Sequence, residues 1–162
     1  MKTNNKFLRV STILIACCFT TIGFSKTDEE KKEQEKQEVR VNYMNYLHEQ
    51  GYKPEVDEDD DVKFMYEGRT YYLLVNTKRV FTVMRLLSHK DACNERVSKT
   101  LIKTHKDFYN VTILPTSSCN GIIFSSRSFV NDPDDWKGIF QISLNSVKNS
   151  IETSQDYHFG EA

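Results

Sequence analysis

The sequence predicts an α+β fold in which about five antiparallel strands pack against helices, in the order α-βββ-α-ββ-α. Three observations support this prediction. Apolar residues recur every three or four positions in three segments, which is the period of an amphipathic helix. Segments that alternate between apolar and polar residues, bounded by turn residues, mark the strands. The turns between consecutive strands are short, which favours antiparallel neighbours.

The first 25 residues have the composition of an export signal. Three basic residues precede an apolar stretch over 10–24, which is shorter than the roughly twenty residues that span a bilayer. We therefore expect cleavage after Ser25 and a periplasmic or secreted protein. In the alternative, Cys17 of the segment "LIAC" is lipidated and anchors the protein in the cell envelope.

The charge balance argues against a nucleic-acid partner. Removing residues 1–25 takes three of the 22 basic residues and none of the 23 acidic ones, which leaves a net charge of −4. A polyphosphate would be repelled unless the basic residues were concentrated on one face, and along the sequence they are scattered. A charged, flexible lead over 26–38 is expected to precede a single domain over 39–162.

The first helix is expected to end at Gln50. Its apolar residues, from Val39 onward, lie three and four positions apart, and Gly51 and Pro54 then supply a stop signal. The segments "VKFMY", "TYYLLVN" and "VFTVMRLL" follow, separated by turns, and predict a three-stranded meander.

The second helix is predicted from about Lys90 to His105, because Ser88 and Asp91 have the spacing of a capping box. The segments "FYNVTIL" and "IIFSSRSFV" then predict a hairpin that turns at Asn120–Gly121.

The last helix is predicted to start at Asp132, a suitable N-cap, with Pro133 at the first helical position. Its apolar stripe begins at Trp136, which we interpret as a core anchor of the helix.

Cys93 and Cys119 are the only cysteines outside the first 25 residues. In an oxidising compartment such a pair favours a disulfide. A helix rises by ~1.5 Å per residue and a returning strand by ~3.3 Å, so the chain would come back beside the start of the second helix near Cys119. The alternative places Cys93 on the core face of that helix and leaves Cys119 as an exposed thiol in a turn. The sequence leaves both possibilities open.

The consecutive acids Asp57 to Asp61 raise the question of a metal site. Alternate acids of this run match positions one, three and five of a calcium loop, but the sixth position, which needs glycine, is Val62. The twelfth position needs glutamate and is Gly68. We therefore expect no metal or other cofactor, and we interpret the run as a solvated turn ahead of a strand.

The sequence does not predict an enzyme. His48, His89, His105 and His158 share no metal-ligand spacing. Cys119 with His89 or His105 is a conceivable nucleophilic pair, but a cysteine and a histidine in one chain are too common to indicate a hydrolase. No glycine-rich phosphate loop is present.

The segment "YYLLV", residues 71–75, is apolar on both faces of a strand. Tyr71, Leu73 and Val75 point to one face of the predicted sheet, and Tyr72 and Leu74 point to the other. An antiparallel sheet usually keeps one face polar. Either helices cover both faces, or they cover one and leave the other for a partner, which would be another protein or a second copy of this chain. These five residues are the candidate partner-binding residues.

The segment "YLHEQGYKPEVDEDDDVKFMYEGRTYYLLV", with the closing "DPDDWKGIFQISLNSVKNSI", resembles the small exported bacterial relatives of the YbjN family. The resemblance covers nearly all of residues 39–151. It rests on the acid-rich entry to the first strand, the final amphipathic helix, and Gly51, Tyr52, Pro54, Phe64, Gly68, Tyr71 and Tyr72. Such relatives often place a glycine in the acidic turn, where this chain has Asp60 and Asp61.

This resemblance implies a fold like that of type III secretion chaperones and a non-enzymatic, protein-binding role, and it supplies no catalytic residues. An exported interaction or chaperone-like module is therefore the predicted function. The alternatives are a structural lipoprotein tethered at Cys17, the only case in which membrane contact is expected, and an unrecognised hydrolase.

Overall fold

The computed structural model describes residues 27–159 as three helices and six strands. The helices are α1 (Asp28–Glu49), α2 (Glu95–Asp107) and α3 (Trp136–Phe159). The strands are β1 (Glu55–Val56), β2 (Val62–Tyr66), β3 (Arg69–Leu73), β4 (Val80–Ser88), β5 (Val111–Pro115) and β6 (Gly121–Phe129). The predicted class and element order are confirmed, with β1 as one strand more than expected. The predicted cleavage after Ser25 and the lipidation of Cys17 lie outside the described residues.

The charged lead is helical, whereas the sequence predicted it to be flexible. The side chain of Thr27 accepts a hydrogen bond from the backbone N–H of Glu30, and the Glu30 carboxylate accepts one from the N–H of Thr27. This capping box satisfies two amides that would otherwise lack partners at the helix start. At the other end, Gln50 is the cap and Gly51 has a φ of +83°, which agrees with the predicted stop.

The six strands form one antiparallel sheet in the order β1-β2-β3-β4-β6-β5. The two longest strands, β4 and β6, pair over their whole length, from Val80 opposite Phe129 to Ser88 opposite Gly121. Because the hairpin of β5 and β6 docks through β6, β6 lies inside the sheet next to β4 and β5 forms its edge.

The helices cover the same face of the sheet. The rings of Tyr43 in α1 and Trp136 in α3 both lie against Phe81 of β4, with centroids 6.1 Å and 5.3 Å away. Phe140 of α3 lies 5.9 Å from Phe64 of β2. The remaining helix, α2, packs beside α3 and completes the helical layer. The core is therefore a single layer of side chains between the helices and one face of the sheet.

Trp136 anchors α3, as its stripe predicted. Its ring is 2% exposed and lies edge to face with Tyr43 and Tyr46, at centroid distances of 4.8 Å and 4.7 Å. Helix α3 begins at this residue, three residues after Pro133, the predicted first helical position. Asp132 instead caps the turn before the helix by accepting from the N–H of Asp134. Burial of an aromatic side chain of this kind contributes about 1.5–3 kcal/mol to stability.

Helix α2 begins at Glu95, five residues later than predicted. The side chain of Asn94 caps it by accepting from the N–H of Arg96. The predicted capping box at Ser88 does not form, because Ser88 still belongs to β4 and pairs with Gly121. The backbone between β4 and α2 is instead tied to the β5–β6 turn.

A disulfide joins Cys93 to Cys119, with the two Cα atoms 5.2 Å apart. Backbone bonds from the N–H of His89 to the carbonyl of Asn120, and from Ala92 to Cys119, reinforce this connection. Cys93 lies exposed before α2, and it is therefore not the buried helix residue of the alternative interpretation.

We expect the double substitution Cys93→Ser with Cys119→Ser to lower the free energy of unfolding. The two cysteines are separated by 26 positions. A cross-link that closes a loop of this length lowers the entropy of the unfolded chain and thereby stabilises the folded state by about 3.5 kcal/mol. Urea unfolding of the variant beside the oxidised wild type measures the difference. A loss of less than about 1 kcal/mol would contradict this account of the disulfide.

Candidate interaction surface

The sheet face opposite the helices has no helix packed over it within residues 27–159, although the first turns of α1 border its corner at Val80, Arg127 and Phe129. Because cross-strand partners share a face, the register identifies its residues, which we call the open face. They are Glu55, Lys63, Met65, Thr70, Tyr72, Leu74, Val80, Thr82, Met84, Leu86, Thr112, Leu114, Ile123, Ser125, Arg127 and Phe129.

The open face is largely apolar. Four of its apolar residues are strongly exposed: Met65 (52%), Leu86 (48%), Leu114 (55%) and Phe129 (83%). A solvated face of an antiparallel sheet normally carries polar side chains. Contiguous exposed apolar patches in folded proteins mark sites of interaction.

The apolar residues of the open face between β3 and β5 are contiguous across the sheet. Leu86, Ile123 and Leu114 are successive partners on β4, β6 and β5. Tyr72 and Met84 are partners in the neighbouring row, on β3 and β4. Directly opposite residues have Cβ atoms about 4.5–5.5 Å apart, so the rows form one patch from β3 to the edge strand β5.

The structure divides the five predicted partner-binding residues between the two faces. Tyr71, Leu73 and Val75 are buried under the helices, so they belong to the core and cannot contact a partner in the folded protein. Tyr72 and Leu74 lie half-buried on the open face. The separation follows directly from the twofold alternation of side chains along a strand.

The sequence interpretation missed the contributions of the other strands to the open face. Leu86 and Ile123 pair on β4 and β6, and Leu114 extends their row to β5. Phe129 lies apart from them, because the pairs Thr82–Arg127 and Met84–Ser125 separate its pair with Val80 from this row. The available signal was the same as in "YYLLV": the segments "VFTVMRLL" and "IIFSSRSFV" also place apolar residues on both faces.

The charges of the open face are few. Lys63 forms an ion pair with Glu55, with 3.1 Å between its Nζ and a carboxylate oxygen. Arg127 has no ion pair among residues 27–159. The open face therefore presents an apolar patch and one cation, Arg127, that forms no ion pair within the described residues and that lines a groove with Glu35 of α1.

The acidic run is a structural turn. One carboxylate oxygen of Asp57 accepts hydrogen bonds from the N–H groups of Asp59 and Asp61, at 3.0 Å and 2.9 Å. Asp60 adopts a φ of +67°, a conformation that aspartate tolerates better than most residues. The Arg40 guanidinium donates to the carbonyl of Asp60. Within the described residues, no group of three or more His, Cys, Asp or Glu side chains is arranged to hold a metal ion.

Asp61 links this turn to the end of β3. Its carboxylate accepts a 2.6 Å hydrogen bond from the N–H of Val75. Desolvation by partial burial raises the pKa of the Asp61 carboxyl, and repulsion from Asp57 and Asp59 raises this pKa further. The hydrogen bond from Val75 and the charge of Arg40 oppose the shift without cancelling it.

The conceivable Cys–His pair is not a nucleophile. The sulfur of Cys119 is bonded to Cys93, so no thiolate is available in this state. The ring nitrogen Nδ1 of His105 lies 2.9 Å from the carbonyl oxygen of Val111, and that of His89 accepts from the N–H of Asp91. His48 lies exposed at the end of α1, and the side chain of His158 is outside the described residues.

The comparisons with known proteins do not identify a family. No protein-family model and no curated protein matches the sequence. A crystal structure of an uncharacterized protein from Methanothermobacter thermautotrophicus is similar, with a TM-score of 0.49 and 11% identity over 73% of this chain and 97% of that chain. A likeness this weak carries no argument about function, and the resemblance to the YbjN family stays a prediction. No helix within residues 27–159 is both long and apolar enough to cross a membrane.

We expect Asp61→Asn to be more stable than the wild type at pH 7. Asparagine keeps an oxygen that can accept from Val75 but removes the charge that burial disfavours. Because the pKa of Asp61 is raised in the folded state, the wild type gains stability as the pH falls below that pKa towards the unfolded value of about 3.9. The advantage of the variant should therefore shrink over this range.

Urea unfolding at several pH values between neutral and pH ~3.5 measures this difference. Asp156→Asn, which removes one charge from an exposed position on α3, is the control for net charge. A variant that is less stable than the wild type at pH 7, or an advantage that does not change with pH, would contradict the assigned cause.

We also expect calcium to leave the melting temperature unchanged. The oxygens of Asp57 and Asp61 accept hydrogen bonds from backbone amides, and the Arg40 guanidinium lies 3.2 Å from an Asp60 carboxylate oxygen. Binding to the native state would stabilise it by mass action, so a rise of several degrees in millimolar calcium, measured by calorimetry, would refute this prediction.

Proposed function

We propose that this protein is an exported, non-enzymatic interaction module with a chaperone-like role, which binds another polypeptide through the open face. One observation carries the proposal: the apolar patch around Leu86, Ile123 and Leu114 has no helix over it within residues 27–159. The export-signal composition of residues 1–25 supports a periplasmic or secreted location, and the resemblance to the YbjN family supports a protein-binding role.

The open face has enough apolar surface for a specific complex. Burying an exposed aliphatic or aromatic side chain contributes about 1.5–3 kcal/mol. Three such residues on β2, β4 and β5, namely Met65, Leu86 and Leu114, would together offset much of the loss of translational and rotational freedom on association. A dissociation constant on the order of micromolar is the expected result.

The charges of the open face favour a different protein over a second copy. Arg127 needs an acidic partner when it is desolvated. In a face-to-face dimer of this chain, the acid that the opposite open face offers is Glu55, and Glu55 is already paired with Lys63. The preferred partner is therefore a segment with an apolar contact surface and an acidic side chain that reaches Arg127.

We expect Leu86→Ser with Leu114→Ser to abolish binding while leaving the fold intact. Both side chains are about half exposed, so their loss costs little in the free protein and removes the patch on either side of Ile123. The matched control is Ile102→Ser with Ile142→Ser, two exposed apolar residues on the outer faces of α2 and α3.

A synthetic library of apolar peptides with and without an acidic residue provides the probe. Fluorescence anisotropy should give micromolar binding of acid-containing peptides to the wild type and to the helix control, and none to the open-face variant. Arg127→Gln should remove the preference for acidic peptides. Equal binding to the open-face variant would refute the site, and self-association that this variant abolishes would assign the open face to a second copy.

A further inference from the structure

A groove at the corner of the open face, which we call the basic groove, carries three cations. The first turns of α1 supply Lys32 and Lys36, and β6 supplies Arg127. Lys32 and Lys36 are four positions apart in α1 and therefore share one side of the helix. Among the residues that the structure describes, none of the three cations forms an ion pair.

One acid, Glu35, lines the same groove. A carboxylate oxygen of Glu35 accepts a 2.8 Å hydrogen bond from the backbone N–H of Lys78, in the connection between β3 and β4. The ammonium group of Lys78 is paired with Glu38. Three cations against one acid leave the lining of the basic groove with an excess of positive charge, which favours an anionic group of a partner.

The basic groove lies at a fixed distance from the apolar row of Leu86, Ile123 and Leu114. Ile123 and Arg127 are four residues apart on β6, so their side chains share a face and their Cα atoms lie about 13 Å apart at ~3.3 Å per residue. A partner that contacts both places must therefore present apolar and acidic side chains at this separation.

The edges of the sheet offer little to an extended partner. At the edge strand β5, the N–H of Val111 donates to the carbonyl of Phe108, and the Val111 carbonyl oxygen lies 2.9 Å from Nδ1 of His105. Pro115, in the same strand, has no N–H. The other edge strand, β1, has two residues. Few backbone groups are therefore available for the addition of a further strand.

The open face itself favours a helical partner. An extended peptide lying across apolar side chains would bury backbone N–H and C=O groups that have no partner, which is costly. An α-helix satisfies these groups internally and buries one apolar stripe. A helix packed on a sheet is also one of the common layer arrangements of proteins.

The charges argue against an occupant from this chain. The apolar segment 10–24 contains no acidic residue, so it has nothing to place in the basic groove. A second copy offers Glu55 from its open face, and Glu55 is paired with Lys63. An acidic segment of a different protein complements the basic groove better than either.

We propose that the partner segment is an acidic amphipathic α-helix of another protein, with its apolar stripe on the row of Leu86, Ile123 and Leu114 and its acids in the basic groove. This inference rests on the proposed function and adds the conformation and charge pattern of the partner. Because a helix rises by ~1.5 Å per residue, its acids lie about seven to eleven residues from the centre of its apolar stripe, on the same side.

Three synthetic peptides of about 18 residues, long enough to form a helix, test the partner. The first carries leucines on one side of the helix and glutamates on the same side about seven to eleven residues further along. The second has the same composition with the glutamates moved to the opposite side. The third is the first peptide with a central proline, which breaks a helix.

Fluorescence anisotropy should give a dissociation constant on the order of micromolar for the first peptide and values at least tenfold weaker for the other two. In a 13C-labelled first peptide, the Cα chemical shifts should become helical when it binds. The open-face variant Leu86→Ser with Leu114→Ser should bind none of the three.

A pair of lysine variants tests the basic groove. Lys32→Gln with Lys36→Gln removes two exposed charges that form no ion pair, so it should leave the fold intact. It should weaken binding of the first peptide about threefold to tenfold, and this difference should shrink as the salt concentration rises. The matched control, Lys53→Gln with Lys106→Gln, removes the same charge from exposed positions outside the groove and should bind like the wild type.

The inference and the proposed function fail separately. Equal binding of the first and third peptides, equal weakening by the two lysine variants, or no binding of the first peptide would each overturn the inference. If peptides bind equally well but only when Leu86 and Leu114 are present, the proposed function stands without its helical partner. Binding that the open-face variant retains would overturn both, and self-association that the first peptide cannot displace would assign the open face to a second copy and overturn the inference.

Discussion

The structure depends on one constraint, the packing of all three helices on the same face of the sheet. An aromatic cluster provides this packing: Trp136 and Tyr43 meet Phe81 in the middle of the sheet, and Phe140 meets Phe64 at its side. Aromatic pairs in edge-to-face or offset-stacked geometry contribute about 0.5–1.5 kcal/mol beyond their buried area. Because this one layer buries the helix stripes, no helix within residues 27–159 remains to cover the opposite face, and the open face is a consequence of how the core is built.

The polar and covalent links act at the two ends of this sandwich. At one end the acidic turn connects α1 to the end of β3, through Arg40 on Asp60 and Asp61 on Val75. At the other end the disulfide connects the start of α2 to the β5–β6 hairpin. These links give the acidic run and the two cysteines a structural role in the fold.

The sequence predicted the order of the elements because helix and strand periodicities are local properties. It did not predict β1, since two residues are too few for a period. It also did not predict the start of α2, where both Ser88 and Asn94 are acceptable caps and the pairing of Ser88 with Gly121 in the sheet decides between them. The sequence also did not predict which face of the sheet the helices cover. A strand that is apolar on both faces, such as the one with Tyr71 and Tyr72, has the same pattern whether helices or a partner cover the second face.

The central claim is that the open face is uncovered in the free monomer, and peroxide oxidation of Met65 tests it most directly. Met65 lies on the open face and is 52% exposed, whereas Met44 of α1 is partly buried against the core. Mass spectrometry of the native protein, shown to be monomeric by sedimentation, should find that Met65 is oxidised much faster than Met44 and at nearly the rate of the urea-unfolded chain. A Met65 that is protected as strongly as Met44 in the monomer would contradict the account, because the second face of the sheet would then be covered internally.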